Sequence, residues 1–183
     1  MKILFATSNK HKIGEANEIG EGFGVEFEQL LLGYPEIRDE DVEEVANEGA
    51  KFVYEKVNKA IVVEDAGLYI EALNGFPGPY SAFVHEKIGN AGILRLLKDE
   101  KDRTAKMISA IGYCDEKGVK TFKGVVEGEI ANEVSGSAGF GYDPIFIPLG
   151  FKRTFAEDFE LKSMVSHRTK AFKAFCEFIV NKD

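Results

Sequence analysis

The chain has 183 residues, of which 44% are hydrophobic and 30% are charged, as in an ordinary globular protein. A chain of this length can bury roughly two-thirds of its unfolded surface, so we expect one compact domain, or one with a small lobe, that needs no disulfide or structural metal. Its 23 lysines and arginines against 31 acidic residues give a formal charge of −8, which argues against a general nucleic-acid or membrane-surface binder but not against a small phosphorylated ligand.

The cysteines and the apolar segments indicate a cytoplasmic protein. Cys114 and Cys176 are far apart and match no metal-ligand spacing, so we expect reduced thiols. No basic leader precedes the first apolar run, and no segment approaches the ~20 apolar residues that span a bilayer. We therefore expect neither a membrane nor a nucleic acid as partner.

The first third of the chain alternates strand and helix patterns. Short apolar runs have the length of buried strands, and apolar side chains at helical spacing mark the segments between them. Asp39 or Asp41 could cap the second of these helices. The patterns predict strands over residues 2–6, 25–30 and 60–63, and helices over residues 10–20 and 42–57.

The remaining two-thirds contains paired strands. A glycine- and proline-rich loop at 75–79 precedes a short predicted helix, and a hairpin-type connection at 115–118 joins two longer strands. The alternation early in the chain and the pairing later predict an α/β protein with a mixed, twisted sheet flanked by helices. The predicted elements here are a helix over 88–97, strands over 105–113, 120–130 and 145–147, and a closing helix from Ser166.

The segment between the first strand and the first helix is a candidate phosphate site. It consists of Thr7, Ser8, Asn9, Lys10, His11 and Lys12. Ligands commonly bind at such carboxyl ends of strands, where free amides, hydroxyls and lysine ammonium groups can hold a phosphate. The glycines of a Walker loop are absent. The alternative is that a polar residue simply caps the helix and the lysines are solvated.

Two further candidates lie at predicted element ends. Glu64 and Asp65 follow a buried run, and Glu36 could join them around Mg²⁺, which prefers carboxylate and phosphate oxygens. His167 and Arg168 open the last helix, where cations oppose the helix dipole unless an anion is also bound. The alternative for Glu64 and Asp65 is that they are solvated residues of a turn. The alternative for His167 and Arg168 is that Ser166 caps the helix and they are its exposed neighbours.

The glycine-rich segment 139–144 could contact a planar base. Phe140 or Tyr142 could stack on it, and Asp143 could accept a hydrogen bond from a ring N–H. The alternative is a tight loop with two core aromatics. His85 is interpreted as an ordinary surface or loop histidine, and no serine or cysteine stands in a pattern that favours covalent catalysis.

The order of these segments is more specific than any one of them. TSNKHK at 7–12, EDAGL at 64–68, GFPGPYS at 75–81, GFGYDP at 139–144, TFAE at 154–157, Lys162 and SHR at 166–168 follow one another. Together they resemble the Ham1 family of nucleoside triphosphate pyrophosphatases, also called inosine triphosphatases. The resemblance runs from residue 2 to about residue 178.

The resemblance implies hydrolysis of inosine, deoxyinosine and xanthosine triphosphates to the monophosphate and pyrophosphate, which removes deaminated purines from the nucleotide pool. It also implies an elongated, two-lobed α/β fold over residues 1–183 with the site between the lobes. A homodimer and a requirement for Mg²⁺, with other divalent ions possible, are further implications.

Residue roles follow from position in the family pattern. Asp65 would be metal ligand and general base, Glu36 a second metal ligand, and the backbone N–H of Ala66 a substrate contact. The residues that would hold the triphosphate are Thr7, Ser8, Asn9, Lys10, His11 and Lys12. Those that would surround the base and sugar are Phe140, Gly141, Tyr142, Asp143, Lys162, His167 and Arg168.

Two positions depart from the family pattern. Ala66 stands where the family usually has serine, and Phe83 stands where bacterial relatives often have arginine. The alternatives that stay open are a Maf-like pyrophosphatase of related architecture and a nucleotide sensor without turnover. The segments at 140–143 and 167–168 favour the Ham1 interpretation, whereas Ala66 keeps the sensor open.

Overall fold

The computed structural model describes residues 1–35, 37 and 39–182, so the predicted metal ligand Glu36 lies outside the described residues. Seven strands and five helices in this part of the chain form a mixed α/β fold, which confirms the predicted class. The strands are β1 (Lys2–Ala6), β2 (Glu26–Leu30), β3 (Ile61–Ile70), β4 (Pro77–Gly78), β5 (Thr104–Asp115), β6 (Gly118–Ile130) and β7 (Phe146–Pro148). The helices are α1 (Lys10–Glu21), α2 (Val42–Val57), α3 (Ser81–Leu96), α4 (Phe159–Val165) and α5 (His167–Val180).

The strands form one sheet in the order β2-β1-β3-β5-β6-β7, with β4 paired to β3. Strand β1 runs parallel to β2 and β3, whereas β4 is antiparallel to β3 and β7 is antiparallel to β6. In the parallel register Phe5 lies beside Val62. The chain therefore leaves β1 at the level of Glu64 in β3, which brings the segment before α1 towards the acidic pair. Along the described residues, no helix is both long enough and apolar enough to cross a membrane.

Residue contacts divide the chain into two compact units. The first unit comprises Met1–Asp65, Ser109–Gly124 and His167–Asp183, and the second comprises Ala66–Ile108 and Val125–Ser166. Each boundary except the one before α5 falls inside a strand, because β3, β5 and β6 contribute residues to both units.

The first unit is built on an aromatic core. Phe5 of β1, Phe27 of β2 and Phe172 of α5 pack together with ring centroids 5.0–6.3 Å apart. The apolar face predicted for the closing helix is thus buried against the sheet. On α2, Asp41 is the cap, since its side chain accepts a hydrogen bond of 2.9 Å from the backbone N–H of Glu43.

The second unit has its own core. Leu68 of β3, Ile93 of α3 and Phe146 of β7 are buried in it, and the ring of Phe146 packs on that of Phe155 at 5.4 Å. A buried hydrogen bond fixes the end of β3 in this unit, because the Ser81 hydroxyl accepts the backbone N–H of Leu68 at 2.7 Å.

Four elements differ from the sequence predictions, and one of them is the short strand β4, which lies where a loop was predicted. Strand β3 continues through the acidic pair to Ile70 instead of ending before Glu64. Helix α3 begins at Ser81, seven residues before its predicted start, and a residue with non-helical backbone, Gly89 at φ 60°, interrupts it. Because Phe83 is exposed, the first half of α3 has no regular apolar stripe by which the sequence could indicate a helix. Helix α4, seven residues long, was not predicted.

Candidate active site

Asn9 caps helix α1 and shapes the predicted phosphate segment. Its Oδ1 accepts the backbone N–H groups of His11 at 2.9 Å and Lys12 at 3.3 Å, and its own N–H donates to Thr7 Oγ1 at 3.1 Å. The cap therefore engages two backbone N–H groups of the first turn. This agrees with the alternative that a polar residue of this segment caps the helix. Ser8, Lys10 and His11 are exposed on the surface of this turn.

Lys12 faces inward from the same turn and contacts Glu64 twice. Its Nζ donates to the backbone carbonyl of Glu64 at 3.0 Å and lies 2.8 Å from the carboxylate oxygen Oε2. The Glu64 side chain is fully excluded from solvent, whereas that of Lys12 is 19% exposed. The lysine thus connects a buried carboxylate to the surface at the start of α1.

Arg168 supplies the second cation on Glu64. Its Nε and Nη2 lie 3.2 Å and 3.1 Å from Oε1 of Glu64, and its Nη1 donates to Glu15 Oε2 at 2.8 Å. The guanidinium is buried, and it bridges α5 to β3 and α1. In the resemblance Arg168 belongs to the base and sugar contacts; in the structure its two carboxylate partners belong to the first unit.

Burial and charge act in opposite directions on Glu64. Burial raises the pKa of this carboxyl, but the charges of Arg168 and Lys12, with hydrogen bonds from Lys12 and Ser109, lower it well below its usual value. Ser109 of β5 donates its hydroxyl to Oε1 at 2.6 Å. The side chain is therefore ionised at neutral pH although it is buried.

Asp65 follows Glu64 in β3 and differs from it in exposure. Successive strand residues point to opposite faces, so the Asp65 side chain lies on the face opposite Glu64, and it is half-buried whereas Glu64 is buried. Among residues 1–35, 37 and 39–182, no group of three or more histidine, cysteine or acidic side chains could hold a metal ion. Since Mg²⁺ in nucleotide sites needs only one or two carboxylates besides phosphate oxygens, Asp65 fits an ion that arrives with a triphosphate.

In the second unit, Asp143 and Lys162 form a buried ion pair. Lys162 Nζ lies 2.7 Å from Asp143 Oδ2, and the side chains are 2% and 4% exposed. The same oxygen accepts the backbone N–H of Phe140 at 2.7 Å, and the lysine lies 4.6 Å from the centroid of the Phe140 ring. The predicted base segment and Lys162 are therefore in direct contact.

Gly139 makes this arrangement possible. Its φ is +72°, a left-handed conformation that favours glycine, and a Cβ at this position would clash with Oδ2 of Asp143. Asp143 can reach back to the Phe140 N–H only because that space is empty. The glycine thus allows a close approach within the segment itself, between the Asp143 carboxylate and the Phe140 backbone.

Helix α3 supports the same segment from the side. The Tyr142 hydroxyl donates to the Ser81 carbonyl at 3.0 Å, and the His85 ring packs edge-on against the Tyr142 ring at 5.0 Å. Asn90 Nδ2 donates to the carbonyl of Gly141 at 3.0 Å. Tyr142 is buried, which raises the pKa of its hydroxyl. His85, interpreted as an ordinary surface or loop histidine, is half-buried in α3, and its ring contacts Tyr142 of the base segment.

Several of these residues escaped the sequence analysis. Glu15 could have been found, since it lies three residues after Lys12 and therefore on the same face of α1. Ser109 and Asn90 carry no local signal, because an isolated serine in a strand or asparagine in a helix has no distinctive pattern. His167 is buried at the start of α5, in the first unit.

Known proteins with similar sequences share nearly the whole chain. A dITP/XTP pyrophosphatase of Methanopyrus kandleri is 51% identical over 183 residues, covering 99% of this chain and 97% of its own. A protein of the same name from Pyrococcus horikoshii is 50% identical over 182 residues, covering 98% and 97%.

The fold has solved counterparts. The Ham1 protein of Staphylococcus aureus superposes with a TM-score of 0.87 at 29% identity, with 100% of both chains covered. A nucleoside-triphosphatase, or dITP/XTP pyrophosphatase, of Mycobacterium abscessus gives a TM-score of 0.75 at 35% identity, covering 96% of this chain and 97% of that one. The Ham1 family model matches residues 3–178. This chain, with its ordered segments from the start of α1 to Arg168, belongs to the Ham1 family.

Proposed function

We propose that the protein hydrolyses non-standard purine nucleoside triphosphates, the triphosphates of inosine, deoxyinosine and xanthosine, to the monophosphate and pyrophosphate. The observation that carries the proposal is the Lys12 ammonium at the first turn of α1, on a buried carboxylate whose chain neighbour is the half-buried Asp65. Relatives named dITP/XTP pyrophosphatase support the substrate class.

The triphosphate would bind the first turn of α1. The Lys12 ammonium and the side chains of Thr7, Ser8, Asn9, Lys10 and His11 are the groups assigned to it. The helix dipole adds to their attraction for an anion. Phosphoryl transfer places charge on the phosphate oxygens, so these groups act by positioning and by electrostatic stabilisation.

Asp65 has two roles in the proposed reaction. Its carboxylate would bind a divalent cation, Mg²⁺, together with phosphate oxygens, and Glu36 would be the second protein ligand. The cation, when bound, supplies charge neutralisation at the phosphate oxygens. Asp65 accepts the proton of a water that attacks the α-phosphorus, and the bond from that phosphorus to the bridging oxygen breaks to release pyrophosphate. The backbone N–H of Ala66 is assigned a contact to the substrate.

The base and sugar would be held by Phe140, Gly141, Tyr142, Asp143, Lys162, His167 and Arg168. Lys162 would donate to the keto oxygen at position six of hypoxanthine or xanthine, where adenine presents an amino donor instead. A buried donor left without an acceptor costs about 1–3 kcal/mol, or roughly 5- to 150-fold in discrimination. The buried Lys162–Asp143 pair supports this role, because Asp143 holds the ammonium in a fixed place. Arg168 would act from its ion pair with Glu64.

The proposal is tested by product analysis with Mg²⁺, comparing inosine, xanthosine, adenosine and guanosine triphosphates by chromatography and phosphorus NMR. The expected result is monophosphate plus pyrophosphate, mainly from the first two. Diphosphate plus phosphate would move the attack to the γ-phosphorus and overturn the mechanism. Binding without turnover would identify a sensor, and turnover of modified pyrimidines instead would identify a Maf-like enzyme.

The family resemblance also supports a homodimer in the cytoplasm. Light scattering coupled to size exclusion measures the assembly directly. A mass of about 20.3 kDa, that of one chain, would contradict the dimer.

A further inference from the structure

We propose that Glu64 is a positioning residue that fixes the ammonium of Lys12 for the triphosphate, while its neighbour Asp65 alone of the acidic pair contacts the metal and the reacting water. The inference rests on the proposed function, because it assumes that Lys12 binds phosphate. It divides two adjacent carboxylates into one that organises the protein and one that touches the reactants.

Both carboxylate oxygens and the backbone carbonyl oxygen of Glu64 lie within 3.2 Å of a cationic or hydroxyl group of the protein. Oε2 and the backbone carbonyl hold Lys12 at 2.8 Å and 3.0 Å. Oε1 accepts the Ser109 hydroxyl at 2.6 Å and the Arg168 guanidinium at 3.1–3.2 Å. A carboxylate that is fully excluded from solvent and paired with two cations offers no surface to a hydrated metal ion. Its environment suits a structural ion cluster instead.

The two contacts to Lys12 determine what the lysine offers a ligand. An ammonium group carries three N–H donors. One of them donates to the backbone carbonyl of Glu64 at 3.0 Å, and the ammonium also lies 2.8 Å from the carboxylate oxygen Oε2, so Glu64 holds the group at two points. Glu64 thereby holds a flexible cation in one position and orientation, from which it can donate to a phosphate oxygen.

Arg168, together with Glu15, holds the Glu64 carboxylate in a fixed position. The guanidinium is anchored to Glu15 at 2.8 Å and contacts Oε1 of Glu64, whereas Lys12 contacts Oε2. The four charges, two positive and two negative, sum to zero, which allows the cluster to be buried. Because Lys12 and Glu15 lie on one face of α1, the cluster ties that helix to β3 and α5 through both residues.

The test is a double-mutant cycle in which calorimetry measures the affinity of each variant for inorganic tripolyphosphate in the presence of EDTA. The variants are Lys12→Met, Glu64→Gln and the double variant, and Glu26→Gln, which removes an exposed carboxylate paired with Lys2, is the charge-matched control. Without metal, any effect of Glu64 on metal binding is excluded. The cycle isolates the dependence of Lys12 on Glu64 from the separate effects of each change.

Lys12→Met is expected to weaken tripolyphosphate binding by about 10-fold or more when Glu64 is present, as for a charge-assisted hydrogen bond. In the Glu64→Gln background the same change is expected to weaken it by less than about 3-fold, because the lysine has lost its fixed direction. Equal losses in both backgrounds would overturn the proposal. A larger loss in the Glu64→Gln background would also overturn it, since Glu64 would then compete with phosphate for the lysine.

Two safeguards separate the possible failures. If the unaltered protein binds no tripolyphosphate, the phosphate role of Lys12 in the proposed function fails together with this inference; if it binds and the cycle is additive, only this inference fails. Should Glu64→Gln not fold, Ser109→Ala replaces it, because it removes a neutral hydrogen bond to Oε1 and leaves both charges. A Lys12→Met effect at least about 2-fold smaller in the Ser109→Ala background is then expected, and an unchanged effect would overturn the proposal.

Discussion

Lys162 and Asp143 form a nearly solvent-free ion pair, with Nζ and Oδ2 2.7 Å apart. Burying two charges costs several kcal/mol in desolvation, and their attraction roughly repays it, so such a pair adds little net stability. The pair instead fixes a geometry, because Asp143 also accepts the Phe140 N–H and so ties the base segment to α4. A donor held in this way can select between bases that differ at one atom.

Replacing Lys162 with methionine tests that selectivity. We expect the KM for inosine triphosphate to rise roughly 5- to 150-fold and the KM for ATP to change much less, since ATP offers no acceptor at position six. Steady-state kinetics on both nucleotides measure the two values. Lys106→Met is the control, because Lys106 is a half-exposed lysine of the same unit that pairs with Glu71 only at 3.8 Å. Equal losses for the two nucleotides would contradict base reading by Lys162.

Asp65→Asn tests the general base. We expect kcat to fall by roughly 10²- to 10⁴-fold, the usual contribution of a positioned proton acceptor, with little change in Tm because Asp65 is half-buried. Turnover at saturating Mg²⁺ and thermal unfolding measure the two effects. Glu116→Gln, in the exposed turn between β5 and β6, provides the control for loss of one carboxylate. Turnover near that of the unaltered protein would exclude the role.

The sequence predicts the elements whose apolar pattern matches their burial. Strand β1 was predicted with its observed bounds, and the hairpin of β5 and β6 was confirmed, because their short or alternating apolar runs are buried as expected. The apolar pattern does not predict the extent of an element where residues far away in the sequence determine it. Glu64 was read as the start of a turn, yet it continues β3, because Arg168, 104 residues later, neutralises it.

The same limit applies to the candidate site. Contiguous segments such as 7–12 and 139–144 were identified, since each carries its polar groups within a few residues. Ser109 was missed because it contributes one hydroxyl from the middle of β5, and only the pairing of strands brings it to Glu64. Side chains that act singly from separate elements leave no pattern in one sequence.

Replacement of two different glycines with alanine is expected to change the free energy of unfolding in opposite directions. At Gly124 in β6, a Cβ would clash with the carbonyl oxygen of His167 and lie 2.6 Å from the backbone N of Ala171, so α5 would have to shift. We expect Gly124→Ala to lower the free energy of unfolding by about 1–3 kcal/mol, as overpacking does. At Gly14, in the middle of α1, a Cβ meets nothing within 4 Å, and we expect Gly14→Ala to raise it by about 0.5–1 kcal/mol. Urea denaturation measures both, and a stable Gly124→Ala variant would contradict the close packing.

A charged contact near the end of α5 should make stability depend on pH. Asp115 at the end of β5 accepts a hydrogen bond from Lys182, and that lysine also donates to the Tyr113 hydroxyl at 2.9 Å. Burial raises the pKa of Asp115, but the hydrogen bonds from Lys182 and from the backbone N–H of Lys117 lower it below its usual 3.8. The ionised form is therefore favoured more in the folded than in the unfolded chain.

Asp115→Asn removes that preference without changing the shape of the side chain. Because the pKa of Asp115 is depressed in the folded state, its contribution to stability is present above pH 3.8 and is lost as the pH falls through the folded-state pKa. We expect the unaltered protein to exceed the variant by about 1–2 kcal/mol in free energy of unfolding at pH 7, and the difference to shrink below pH 3.8 as Asp115 becomes protonated. Urea denaturation at pH 7, 5 and 3 measures the difference, over the range in which both proteins are folded. A protonated carboxyl carries no charge, like the amide that replaces it, so a charge effect must shrink towards acid. A difference that stays constant or grows towards acid would therefore show that the aspartate does not act through its charge.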